Sequence, residues 1–309
     1  TRTARASFAN SVVFPGGVCE PSDASDEWLK LFKTFGYSQG DFDAFHRPGA
    51  PVTPILRDNP VKRHISLRIT AIRETFEELG FLLCSRKQQK DSSGHTANTL
   101  SDLDVKHWQN KVSKNPEELL TLCKELECYP DIWALHYWSN WLTPARLPKR
   151  FDTAFFITAL ENRPKDLKSS NEVVHAQWAS PEETLEKYHS NQLVLFPPQS
   201  YELNRLCLIP DFEAIARFAA SRSAGGNSLL YPVIIQARDG ELHLLPGDDL
   251  YPSDVNYDGT IIQKDETLLE LRERCHTLHR YEKGSERQFI IKNCKLDNHI
   301  DMGDRIIPV

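Results

Sequence analysis

Long apolar runs are missing from this chain. The longest clear one, residues 154–160, falls far short of the roughly 20 residues that a membrane-spanning helix needs. Methionine is nearly missing as well: one stands at position 302 and none at position 1. No basic-then-apolar stretch opens the chain, so no signal peptide is read there. Thr1-Arg2-Thr3-Ala4-Arg5 reads as a trimmed start, and Ile307-Pro308-Val309 is not a peroxisomal Ser-Lys-Leu-type address. Natural termini are therefore expected beyond both ends. The seven cysteines (19, 84, 123, 128, 207, 275 and 294) are odd in number, scattered and without a Cys-x-x-Cys pair. That speaks for reduced thiols in an intracellular compartment. Cys275, His276 and His279 come close in sequence but lack a second ligand pair, so no zinc site is expected from them. Positive charge is also short. A net charge of -6 argues against general nucleic-acid binding, although a bound metal can still supply the charge a nucleotide substrate requires.

What the chain does have is Arg73-Glu74-Thr75-Phe76-Glu77-Glu78-Leu79-Gly80-Phe81. Ile69, Ile72, Phe76 and Leu79 recur at helical spacing, which predicts one apolar stripe over residues 67–79. Glu74, Glu77 and Glu78 lie three and four apart and converge beside that stripe. Like charges so placed repel by a few tenths of a kcal/mol per pair, and a bridging cation reverses the sign. Gly80 is a natural helix stop, and 81–84 reads as a short apolar run. Upstream, residues 8–14 are expected to form a strand feeding the Phe14-Pro15-Gly16-Gly17 turn.

These two stretches resemble the two halves of the Nudix box, G-x5-E-x7-R-E-U-x-E-E-x-G-U, where U is aliphatic or aromatic. Arg73, Glu74, Glu77, Glu78, Gly80 and Phe81 match, while Thr75 stands where an aliphatic residue is usual. Gly17-x5-Asp23 replaces Gly-x5-Glu. In an uninterrupted box the Arg would stand at position 31. It stands here at 73, so 42 residues interrupt the motif. An interrupted box narrows the likeness to the coenzyme A diphosphatases of the Nudix hydrolase family. The resemblance implies an α/β (α+β) fold, the Nudix α/β/α sandwich with a mixed sheet, helical insertions and a C-terminal extension. On that reading residues 1–225 are the Nudix domain with insertions at about 24–64 and 85–131, and 226–309 pack on it.

Within the first insertion Trp28, Leu29, Leu31, Phe32 and Phe35 make an apolar face behind a Ser25-Asp26-Glu27 cap, and Gly36 ends it. Its aromatics are expected in a packed lid or partner surface. Two helices are expected at 102–112 and 116–128, and strands at 133–142 and 151–160 whose aromatics could stack a base. Asn171-Glu172-Val173-Val174-His175-Ala176-Gln177-Trp178 resembles a family segment in which an acidic residue precedes a strand. A helix capped by Ser180 and opened by Pro181 follows. Residues 201–221 read as one amphipathic helix kinked or split at Pro210. A hairpin is expected around Arg238-Asp239-Gly240, with a last strand at 288–293.

The resemblance implies Mg²⁺ or Mn²⁺ held by Glu74, Glu78 and Glu77 with the Gly16 carbonyl. Arg73 would hold a carboxylate in place, and Glu77, Glu78 and Glu172 would serve catalysis. Arg68, Arg63 and Phe14 are the candidate substrate contacts. Asp23 is one methylene short of Glu and far from the helix in sequence, so its support for Arg73 is expected to be weak. The implied reaction is hydrolysis of the diphosphate of coenzyme A and acyl-CoA esters, in peroxisomes, giving 3′,5′-ADP and (acyl-)4′-phosphopantetheine. A diphosphatase for NADH or ADP-ribose and a non-catalytic Nudix binding module are the alternatives.

Overall fold

A computed structural model describes residues 11–91, 96–147, 149–164, 176–209, 211–259 and 261–309. Helices α1 (Glu27–Thr34) and α2 (Gln39–Asp43) open the chain and bury Trp28, Leu31, Phe32 and Phe42. The long helix α3 (Pro60–Leu79) follows. It starts seven residues before the stripe begins, because Asn59 accepts the backbone N–H of Lys62 at 3.0 Å and Pro60 sits at the first helical position. Gly80 ends it with φ 73°, a left-handed turn that glycine adopts without strain. Ile69, Ile72 and Phe76 are fully buried along the predicted stripe.

Strand β1 (Cys84–Ser85) pairs with β2 (Tyr129–Pro130) across the second insertion, whose helices are α4 (Val105–Val112) and α5 (Glu118–Glu125). The two insertions pack on each other and on α3 in one apolar cluster. Trp133 stacks on Tyr37 at 3.6 Å with their planes 6° apart, and Phe32, Phe42 and Phe45 crowd the same ring. The aromatics of 24–64 are therefore core and not an open lid surface. Each is a large area removed from water, and that apolar burial is the reason the insertion is ordered.

Strand β3 (His136–Leu142) pairs antiparallel with β4 (Asp152–Ile157), with a register shift between Tyr137 and Ser139. Helix α6 (Pro181–His189) begins at the predicted Ser180 cap, which forms a capping box with Glu183. The amphipathic run at 201–221, expected to kink or split at Pro210, is two helices, α7 (Pro197–Leu206) and α8 (Phe212–Ser223); Pro210 itself lies outside the described residues. Strand β5 (Leu229–Leu230) joins β3 in parallel, which makes the three-stranded sheet mixed. The chain then builds a second, six-stranded sheet. Its members are β6 (Val233–Ala237), β7 (Gly240–Leu244) and β8 (Ile262–Gln263), followed after α9 (Leu268–Glu273) by β9 (Leu278–Lys283), β10 (Arg287–Lys292) and β11 (Arg305–Pro308). The order is β11-β10-β9-β7-β6-β8, and β6 and β7 form the predicted hairpin. Trp141, Tyr201, Leu230, Tyr281, Phe289 and Ile307 share one cluster, so this sheet and the body have a common core. No helix among the described residues is long and apolar enough to cross a membrane.

Candidate active site

The last two turns of α3 carry the site. At about 100° per residue, Arg73, Glu74, Glu77 and Glu78 occupy a face that flanks the buried stripe, so the helix itself lines up four charged groups. A loop over that face completes the arrangement. Of the strand expected at 8–14, residues 8–10 lie outside the described residues and 11–14 form no strand; Val12 donates one backbone bond to Val194 at 3.0 Å, and the chain bends at Pro15 before the two glycines. The Gly16 N–H donates to Glu78 Oε2 at 3.3 Å. Gly17 lies against Glu74: a Cβ there would stand 2.4 Å from the carboxylate carbon and both its oxygens. Only glycine lets the backbone come that close. The two halves of the motif, separated by the insertion in sequence, are thus in direct contact.

Arg73 organises the carboxylates. A guanidinium has five N–H donors. Nε donates to Asp23 Oδ1 at 3.0 Å, and Nη2 donates to Asp23 Oδ2 at 2.9 Å and to the Val18 carbonyl at 2.7 Å. Nη1 reaches Glu74 Oε1 at 2.9 Å and Glu77 Oε1 at 2.7 Å. All five donors are engaged within the protein, so Arg73 positions carboxylates and offers nothing to a substrate. Burial alone would lower its pKa; the Asp23 carboxylate, bonded to it, instead raises it well above the ordinary arginine value.

Asp23 corrects the expectation of weak support. It is 1% exposed and grips Arg73 through both oxygens. It also accepts Thr70 Oγ1 at 2.9 Å and the Glu20 N–H at 3.0 Å. The 3-10 turn Pro21–Ala24 carries it to the helix, which makes up for the shorter side chain. A carboxylate six residues after Gly17 was the signal, and the distance in sequence hid it.

Among the candidate substrate contacts, Arg68 is a correction. It is 1% exposed, donates to the Leu135 carbonyl at 2.9 Å and lies over the Phe45 and Phe156 rings at 4.3 and 4.9 Å. A guanidinium enclosed that way cannot meet a phosphate. Burial brings its pKa down to about 9. Arg63 donates to the Ile55 carbonyl at 2.9 Å and lies eleven residues before Glu74, about 16 Å along the helix. It does not join the carboxylates. Phe14, two residues before Gly16 on the loop that meets the carboxylates, is exposed and stands edge-on to Phe155 at 6.0 Å. Glu172 and His175 lie outside the described residues, and 176–178 form no strand. The tryptophans of β3 are not available for base stacking: Trp138 and Trp141 are buried and both donate to Glu202, at 2.7 and 2.8 Å.

Gln109, which the sequence did not flag, donates from Nε2 to the Glu77 carbonyl at 2.9 Å. It reaches from α4 to one of the last carbonyls of α3, a group that no intrahelical N–H satisfies. Cys275 and His279 belong to separate contacts. The thiol donates to the Leu271 carbonyl, and the imidazole lies between Pro246 and Tyr201, so they form no metal site.

The donor set fits a hard divalent cation, which prefers oxygen ligands and carboxylates. Three carboxylates converge on one face under a glycine loop that leaves room for them.

Comparison with known proteins gives the same family. The NUDT19 Nudix domain pattern matches residues 1–206, and the NUDT19 C-terminal domain pattern matches 234–292. The chain is 37% identical over 287 residues to acyl-coenzyme A diphosphatase NUDT19 of Xenopus laevis, covering 88% of this chain and 76% of that one. It is 35% identical to the Homo sapiens protein of that name, covering 87% and 75%. A Nudix hydrolase structure from Alicyclobacillus acidocaldarius shares the fold with a TM-score of 0.51 at 24% identity, over 70% of this chain and 85% of that one. Nudix hydrolases work with divalent metal ions. The chain belongs to the NUDT19 family of Nudix hydrolases.

Proposed function

We propose that this protein hydrolyses the diphosphate of coenzyme A and its acyl esters, giving 3′,5′-ADP and (acyl-)4′-phosphopantetheine, with Mg²⁺ or Mn²⁺. The observation that carries the reading is the closure of the interrupted motif. The Gly16-Gly17 loop lies on Glu74 and Glu78 while Arg73, locked by Asp23, fixes Glu74 and Glu77. The substrate class follows from relatives named acyl-coenzyme A diphosphatase over most of this chain.

Phosphoanhydride hydrolysis needs a positioned water and a counter-charge for the phosphoryl oxygens. Glu74, Glu78 and Glu77, with the Gly16 carbonyl, would hold the cation, which supplies that counter-charge and favours the attacking water. Arg73 keeps Glu74 and Glu77 aimed at one point, so the set does not reorganise when the diphosphate arrives. Glu172 is the further carboxylate we assign to the water, and Phe14 flanks the entering substrate. Residence in peroxisomes belongs to the same reading, and imaging of the full-length protein checks it.

Product analysis tests it on a panel of CoA, an acyl-CoA, NADH and ADP-ribose with Mg²⁺ or Mn²⁺. Release of 3′,5′-ADP from CoA, lost on chelation, supports the proposal. Metal-dependent cleavage of only the other nucleotides would keep the chemistry and overturn the substrate.

A further inference from the structure

Seven cysteines are free, and three of them meet. Cys84, Cys123 and Cys128 are fully buried, with their sulfurs all within 4.8 Å of one another. Two local structures bring them together. Helix α5 ends in a Schellman turn: the Cys128 N–H donates to the Cys123 carbonyl at 2.9 Å, and Glu127 takes φ 48°. That turn sets residue 128 against residue 123. The pairing of β2 with β1, with Cys84 opposite Pro130, then swings the third sulfur in.

Metal–sulfur bonds of about 2.3 Å place the sulfurs of a three-thiolate centre about 4 Å apart, the spacing scale seen here. A disulfide would join only two of the three. Arg86, two residues after Cys84, donates to the Leu126 carbonyl at 3.0 Å and to Asp102 at 2.7 Å. Its charge acts on Cys128, whose thiol is held below the ordinary range first by hydrogen bonding from Cys123 and Cys84. The cluster is separate from the carboxylate face of α3 and shares no residue with it.

We propose that Cys84, Cys123 and Cys128 form a buried three-sulfur site for a soft d¹⁰ cation, Zn²⁺ or Cu⁺. Thiolates select such ions over Mg²⁺ and Mn²⁺, so the two metal sites do not compete. Binding releases the thiol protons. Three thiolates around a divalent ion keep one negative charge, and the nearby Arg86 is itself paired with Asp102. Around Cu⁺ they keep two, or one if a thiol stays protonated. No fourth His, Cys, Asp or Glu among the described residues joins the group, which suits Cu⁺, whereas structural zinc is usually four-coordinate. The ion would tie α5 and β2 to the strand that follows the catalytic helix. This inference does not depend on the proposed substrate.

The test uses the whole chain, reduced, in excess Mg²⁺ so that the carboxylate site is filled. Metal content is measured as isolated, and the metal-free protein is titrated with Zn²⁺, Cu⁺ and, as a spectroscopic probe, Cd²⁺. The proposal expects one tightly bound soft ion per chain and thiolate-to-metal charge-transfer absorption with Cd²⁺. Cys84→Val and Cys123→Val should lose that absorption, and Cys275→Val, at another buried cysteine, should keep it. Retention of Zn²⁺ over Cu⁺, or the reverse, in competition tells which ion the site takes. A folded wild-type chain that binds none of the three ions, or binds them equally well in Cys84→Val, overturns the proposal and leaves three core thiols. The wild-type titration decides even if a variant fails to fold.

Discussion

Replacing Asp23 with Ala leaves the Arg73 guanidinium buried without its main partner. Breaking a buried ion pair by removing one member costs about 3–5 kcal/mol, so Asp23→Ala should lower the free energy of unfolding by about that much in chemical denaturation. A loss near zero would mean that Arg73 is not locked as drawn. Gly17→Ala acts differently. The added methyl meets the Glu74 carboxylate, which Arg73 holds in place, so Glu74 must move. Displacing a ligand's support typically costs about 10–100-fold in metal affinity. The variant should stay folded and bind Mn²⁺ about that much more weakly, read by calorimetric titration. The carboxylates and the glycine turn were legible because helical spacing and backbone reach are local properties. The Asp23–Arg73 pair spans fifty residues, and only the closed fold shows that the turn carrying Asp23 makes up for its length. Arg68 misled for the opposite reason: a charged residue on a helix reads as solvated until the neighbouring rings are seen to enclose it.

Helix α3 has both ends fixed from outside its own ladder. Asn59 and Pro60 set its start, and Gln109 reaches from the second insertion to the Glu77 carbonyl. A net hydrogen bond contributes about 0.5–1.5 kcal/mol. Gln109→Ala should therefore lower stability by about 1 kcal/mol and reduce kcat modestly, with KM for CoA little changed, since Gln109 acts through the helix and not on substrate. A large rise in KM alone would contradict that positioning role. The longer helices were legible from their apolar periodicity and caps, although the start of α3 needed the Asn59-Pro60 signal to be weighed above the stripe; the short helices α2 and α9 were not read. Strand β9 escaped for a physical reason. Leu278, His279, Arg280, Tyr281 and Glu282 are all buried, so no in–out alternation marks the strand. Its charges are matched only in three dimensions: Arg280 pairs with Asp248 at 2.7 Å, and Glu282 with Arg272.

At the scale of the molecule, the six-stranded sheet meets the body at the buried Tyr201–His279 hydrogen bond, beside a polar cluster that lies within the body. Glu202 accepts both Trp138 and Trp141 and pairs with Arg205, while the neighbouring Tyr201 hydroxyl meets His279 at 2.8 Å. Burial, reinforced for His64 and His299 by nearby arginines, holds His64 and His299 down to about 2. His279 is held at about 4, burial outweighing the Pro246 carbonyl that favours its proton. The unfolded chain takes up protons near pH 6.5 that the folded chain refuses, so stability rises with pH there. The histidine contribution is complete above that pH and falls away towards pH 4 and below. Burial raises Asp131 and Asp152, which act in the opposite sense, so thermal melts in the upper part of the window read the histidines best. A melting temperature that rose on acidification there would contradict the burial of these rings. That residues 226–309 pack on the body was expected from the resemblance; which side chains make the shared core was not legible, because the contacts pair positions far apart in sequence. The central claim, hydrolysis at the α3 carboxylates, is tested most directly by one paired assay. Wild type and Glu78→Gln are given CoA with Mg²⁺, and 3′,5′-ADP is quantified. The account predicts metal-dependent product from wild type and essentially none from the folded variant; comparable product from both would contradict it.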